Sequence, residues 1–282
     1  MRIKYQIFLY SLLFGFTAIN CDAQNIHPYK MKFADFESWT PTQPGDVALK
    51  NFRPYRATYS RTYTSASTGQ PVSDHIFMTA QEVSWYGKTV ILFEYHDVGS
   101  LDFPDTNART QFYYLDKENL ALEMAVGPKA GTAQDYTTVR VFEDKITRSK
   151  INTETGEVEF SELANTEPVF PFSQLRFFIW GSMDLTVDDK ILFNRIYNAP
   201  QNALMPVLGY VEEQTDYTTP DGNKYRPYVI DQTANPTSPI VNKFFVINQP
   251  PYVLAQGIYD ADQDEITRWW LKLESFEYLD GK

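Results

Sequence analysis

The chain has 282 residues, with 36 acidic side chains against 25 basic ones and a formal net charge of −11. That balance argues against nucleic acid and anionic lipid surfaces as partners, because affinity for both comes from Lys and Arg meeting phosphates. The length is ample for a self-sufficient core, and 19 Tyr, 20 Phe and 5 Trp favour pleated, half-buried surfaces.

Residues 1–23 have the layout of a secretory signal peptide. Arg2 and Lys4 precede an apolar run from Ile7 to Ile19, and Cys21-Asp22-Ala23 supplies a small-x-small cleavage site. The run is shorter than the ~20 apolar residues that a membrane span needs. The expectation is therefore an exported protein, periplasmic or secreted, whose single β-rich domain covers residues 24–282. Cleavage removes Arg2, Lys4 and Asp22, a net +1, and takes the charge from −11 to −12. Cys21 is the only cysteine, so the mature chain carries no thiol or disulfide. The alternative is that Cys21 is a lipidated N-terminal residue, which makes a membrane tether; Asn20 and Ala18 depart from the usual pattern before such a cysteine.

Past the signal, Asn25 to Lys50 is polar and broken by Pro41 and Pro44, with a short helix expected over 32–39. Strands follow. Phe52 to Thr64 alternates and is rich in Tyr and Thr. His75–Trp85 and Lys88–Val98 form a hairpin turning at Tyr86-Gly87. Ala108–Leu115 pairs with Leu120–Val126, and Tyr136–Phe142, Lys145–Ile151 and Glu157–Leu163 continue the meander. A helix capped by Ser173 is expected over Gln174–Trp180. Strands resume at Lys190–Tyr197 and Val207–Tyr217, turn at Pro220-Asp-Gly-Asn223, and return through Lys224–Asp231. Lys243–Ile247, Tyr252–Tyr259 and Ile266–Tyr278 complete the series. About a dozen strands without alternating helices predict an all-β fold: an antiparallel curved sheet, half-barrel or barrel, with one short internal helix.

Candidate chemistry is sparse. With a two- or four-residue loop at Tyr86-Gly87, opposed positions of that hairpin sum to 173, which puts His75, His96 and Glu94 on one face. Two imidazoles and a carboxylate suit a divalent metal or acid–base chemistry; the plainer reading is a solvated face. Register decides it, since a three-residue loop would separate the histidines. The carboxylates of Asp260 to Glu265 lack the glycine and distant glutamate of a calcium loop and read as a charged turn. Asp102, Asp105, Asp184, Asp188 and Asp189 read as loop charges. A Gly-x-Ser-x-Gly elbow, phosphate loop, dinucleotide fingerprint and His-Glu-x-x-His helix are all absent from the sequence. No cofactor is favoured. Tyr59, Tyr63, Tyr113, Phe245, Tyr252 and Trp269 fall in expected strands, and one face of a curved sheet would use such rings to wall a ligand cavity.

Two segments, Phe52-Arg-Pro-Tyr-Arg-Ala-Thr-Tyr-Ser-Arg-Thr-Tyr and Pro168-Val-Phe-Pro-Phe-Ser-Gln-Leu-Arg-Phe-Phe followed by Asp188-Asp189-Lys190, resemble a loose group of uncharacterised exported bacterial proteins. Their layout is similar to lipoprotein-carrier half-barrels, in which a curved antiparallel sheet wraps an apolar groove. The first functional expectation, resting on the aromatic strand residues, is a protein that binds a small apolar or aromatic-stacking ligand. The alternatives are an envelope enzyme acting on glycans or lipids through carboxylates, with or without His75, His96 and Glu94, and a structural envelope protein.

Overall fold

The computed structural model describes residues 32–47, 49–64, 69–97, 109–128, 135–171, 175–199, 201–220, 222–233, 242–259 and 269–281. The signal-like segment, Cys21, Asp102, Asp105, Ser173 and the 260–265 carboxylates lie outside them.

Eight strands meander through the first half: β1 (Tyr55–Thr64), β2 (Pro71–Trp85), β3 (Lys88–Asp97), β4 (Arg109–Asp116), β5 (Leu122–Pro128), β6 (Asp135–Val141), β7 (Lys145–Asn152) and β8 (Val158–Ala164). A two-residue strand, β9 (Phe170–Pro171), leads to helix α1 (Arg176–Gly181). The second half adds β10 (Lys190–Asn198), β11 (Ala203–Gln214), the small hairpin β12 (Tyr217–Thr218) and β13 (Lys224–Tyr225), then β14 (Tyr228–Thr233) and β15 (Asn242–Val246). β16 (Leu254–Tyr259) and β17 (Trp269–Tyr278) end it.

Fifteen of these strands make one sheet, in the order β8-β7-β6-β5-β4-β3-β2-β1-β17-β16-β15-β14-β11-β10-β9. Its seam is the antiparallel pair β1–β17, from Tyr55↔Tyr278 to Tyr63↔Trp269. Both halves meander outward from that seam, and only the β9–β10 pair is parallel. The sheet curls without closing. Its margins approach through single bonds: Leu122 N–H to Val169 O (2.8 Å), Arg148 Nη1 to Ala199 O (2.8 Å) and Asn202 Nδ2 to Glu162 O (3.4 Å). The architecture is an all-β half-barrel, as the strand spacing predicts.

The strands form for local reasons. Tyr86 and Gly87 take φ of 46° and 81°, the two positive values of a mirror-image turn whose twist matches its strands. This two-residue loop sets Phe77↔His96 and Thr79↔Glu94, the register summing to 173. Pro227 breaks the single strand expected over 224–231, because proline has no N–H for the ladder. The result is β13 and β14 as separate strands, with β12–β13 standing apart from the main sheet. The N-terminal helix expected over 32–39 is reduced to a 3-10 turn at Phe36–Ser38.

The concave side is packed. Every residue of α1 is buried, and six residues are too few to hold a helix without such packing. Phe178 meets Phe93 at 5.6 Å, Phe52 at 6.1 Å and Tyr252 at 6.5 Å between ring centroids. Trp180 meets Phe244 at 5.3 Å and Phe193 at 6.4 Å. Gly181 lets the helix end press on the β15–β16 connection: a Cβ there would lie 3.1 Å from Ile247 O. Gly181→Ala is expected to destabilise by about 1–3 kcal/mol through overpacking, as a denaturant-midpoint shift would show.

Toward the far end of β1 the inward positions change character. Arg61 donates Nε to Asp74 Oδ1 (2.8 Å) and also bonds Asp97 through Nη1 and Nη2 (2.8 Å each), while Nη2 reaches Asp74 as well. All three side chains are buried.

The N-terminal segment straps the outer face of the second half. Phe33 and Trp39 cover Leu192 and Leu208, and Lys32 binds Glu212 (2.7 Å) and Asp231 (2.8 Å). Lys243 completes the cluster on Glu212 (2.5 Å) and Asp231 (3.3 Å). Burial alone would lower both ammonium pKa values, but the two carboxylates outweigh it and raise them. Burial likewise pushes Glu212 up, and the two lysines more than reverse it. A depressed carboxylate stabilises above its unfolded pKa and loses that contribution as pH falls through the folded one; the raised lysines lose theirs as pH rises through theirs. The strap is therefore expected to loosen below the ordinary carboxylate range and again above the lysine range. Proteolytic cleavage within 32–47 should accelerate at both extremes before the sheet unfolds.

Candidate functional site

A cleft of about 660 Å³ opens at the hairpin end of the half-barrel, within the ~300–1,000 Å³ typical of small-molecule sites. One wall is the β12–β13 hairpin. Its turn is closed by Gly222 N–H to Thr219 O (2.9 Å) and Thr219 N–H to Asn223 O (2.9 Å), with Gly222 at φ 87°, where a side chain would be strained. The opposite wall is the chain leaving β15, Ile247-Asn248-Gln249, held by Ile247 N–H to Val253 O (3.1 Å).

Tyr217 and Tyr225 are directly opposed across the hairpin, and both line the cleft. Each is anchored on its far side. Tyr217 Oη donates to Leu273 O at 3.4 Å, and Tyr225 sits 6.4 Å from Phe276. Burial, with Glu274 nearby, raises the Tyr217 pKa, so its phenol stays protonated and able to donate. Polar groups ring the two phenols: the amides of Gln214, Asn248 and Gln249, and the charges of Asp216, Lys224 and Arg226. Gln214 Nε2 donates to Arg226 O (2.9 Å). Asp216 and Arg226 approach to 3.4 Å but are largely exposed, a pair worth about 0–1 kcal/mol. Asp216 is the one carboxylate among the described lining residues. The arrangement places aromatic surface beside hydrogen-bonding groups.

The residues singled out in the sequence lie elsewhere. His75, His96 and Glu94 share one face as expected, and it is the outer one. His96 Nε2 is 3.4 Å from Glu94, and its Nδ1 is 2.9 Å from Thr110 Oγ1. Among the described residues no group of three His, Cys, Asp or Glu side chains gathers to hold a metal. Tyr59, Tyr113 and Tyr252 are buried in the main hydrophobic core, which also contains the rings of α1. Tyr63 points inward beside Arg61, whose guanidinium is 5.2 Å from its ring. Phe245 lies on the side of β15 opposite core residues Phe244 and Val246. Trp269 opens β17, and its side chain lies outside the described residues. The sequence signal for the cleft was the Pro220-Asp-Gly-Asn223 turn with Pro227 after it, a hairpin that proline detaches from the sheet.

No family model and no curated protein matches the chain. A solved structure does: the crystal structure of a β-barrel-like protein of the domain of unknown function DUF1849 from Brucella abortus. It superposes with a TM-score of 0.51 at 10% identity, over 83% of this chain and 100% of that one. At that identity the likeness shows the fold alone: a β-barrel-like architecture.

Proposed function

We propose that the protein is an exported half-barrel that binds a small hydroxylated ring, a saccharide or a molecule of similar chemistry, in the cleft beneath the β12–β13 hairpin. The observation that carries this reading is the opposed pair Tyr217 and Tyr225, anchored from behind and facing a 660 Å³ cleft rimmed by side-chain amides. Aromatic faces supply apolar contact area, and amides supply directional bonds to hydroxyls. A polar ring is favoured over an apolar ligand because the described lining of the cleft is mainly polar, with amides and charges around the two phenols. Export rests on the layout of residues 1–23.

The reading is tested by calorimetric titration with a panel of mono- and disaccharides. Binding by the wild type is expected, with the Tyr217→Ala/Tyr225→Ala variant at least about tenfold weaker, a loss of about 1.4 kcal/mol or more. Equal binding by both proteins, or none by either, overturns it.

A further inference from the structure

We propose that the outer face of β4–β8 is a docking surface for a second copy of this chain. Among the described residues, ten large hydrophobic side chains are exposed, and five of them, Tyr136, Phe142, Ile151, Val158 and Phe160, are on or next to β6–β8. Strand register arranges them on one face. Tyr136↔Ile151↔Val158 forms a wholly apolar row, and Thr138↔Ser149↔Phe160 lies beside it. Val158 and Phe160 are 64% and 62% exposed. The apolar surface continues onto β4 and β5 through Phe112↔Val126 and Tyr114↔Met124, all half-buried. Single exposed apolar residues are ordinary, whereas a contiguous patch marks an interface.

The equivalent face of the other half shows what such a surface requires. There the chain's own Phe33 and Trp39 cover Leu192 and Leu208. Five strands spaced ~4.8 Å apart and ~25 Å long present about 600 Å² per copy, or about 1,200 Å² for a pair, the lower edge of stable interfaces. A shallow recess of about 460 Å³ between Phe142 and Phe160 offers room for a partner side chain.

The apolar area selects the occupant, and charge sets the conditions. The outward charges of β6–β8 are Arg140, Lys145 and Glu162, with Lys145 bound to Glu162 at 2.8 Å, so the face is close to neutral in a chain of −11. The adjoining turns carry Glu143, Asp144, Glu154 and Glu157, which repel an anionic membrane. A second identical face brings the same acidic rim, so pairing of two copies is expected to strengthen as salt screens that repulsion.

Sedimentation analysis of the full chain tests this. The expected result is a reversible dimer at micromolar concentration that tightens with added salt, with the Phe160→Lys/Ile151→Lys variant at least about tenfold weaker and its circular dichroism unchanged. Both side chains are solvent-exposed, so the variant should fold. A monomer at up to about 100 μM, an undiminished dimer in the variant, or salt-sensitive binding to anionic vesicles through this face overturns the proposal.

Discussion

Phe178→Ala is expected to cost about 3–5 kcal/mol, the range for emptying a buried aromatic site. Against a total stability of about 5–15 kcal/mol that is a large fraction, and the melting temperature should fall on the order of 10 °C. The reason is position. Phe178 touches the first half at Phe93, which Phe177 also reaches at 6.2 Å, and it alone of the two adds the chain entering β1 (Phe52) and the β15–β16 connection (Tyr252). A sheet that does not close through a strand ladder depends on what fills its hollow. Trp180 gives a contrast on the same helix: its indole N–H is buried without an acceptor among the described residues. Trp180→Phe removes that unsatisfied donor and most of the ring volume stays, so it should be close to neutral, whereas Trp180→Ala should be as damaging as Phe178→Ala. Thermal unfolding of the four proteins settles the ranking.

The second large effect is at Arg61. Replacing it by Met leaves Asp74 and Asp97, both buried, without their shared guanidinium. Breaking a buried ion network at one partner costs about 3–5 kcal/mol. Arg61→Met is therefore expected to lower the urea midpoint of unfolding markedly. The triple variant Arg61→Met/Asp74→Leu/Asp97→Leu should recover most of the loss, since a well-packed apolar substitute for buried charges is often neutral or better. Urea titrations of the wild type, the single variant and the triple variant measure both.

Much of the fold was legible because β structure writes itself with period two. The sequence left two registers open for the His75/His96 hairpin, and the two-residue turn at Tyr86-Gly87 selects the one summing to 173; the strand edges of the first half agree within a few residues. The internal helix was visible too, as a short apolar run with an odd rhythm at 174–180. What local pattern could not show is which concave rings are left open. Tyr59, Tyr113 and Tyr252 look like cavity walls in sequence and are core in space, because α1, over a hundred residues from Tyr59, comes to lie among the same rings. The cleft was hidden for a related reason. Tyr217 and Tyr225 read as members of long strands, and only the missing N–H of Pro227 separates their hairpin from the sheet. Export and a tether at Cys21 rest on residues 1–23, and the intact mass of protein purified from its own envelope separates cleavage after Ala23 from a lipidated Cys21.

The most direct test of the account is amide hydrogen exchange of the wild-type chain with and without a saturating saccharide from the panel. The account predicts added protection confined to residues 214–226 and 247–249, the two walls of the cleft. Protection elsewhere, on the outer His75/His96 face for instance, or no change at any amide, would contradict it.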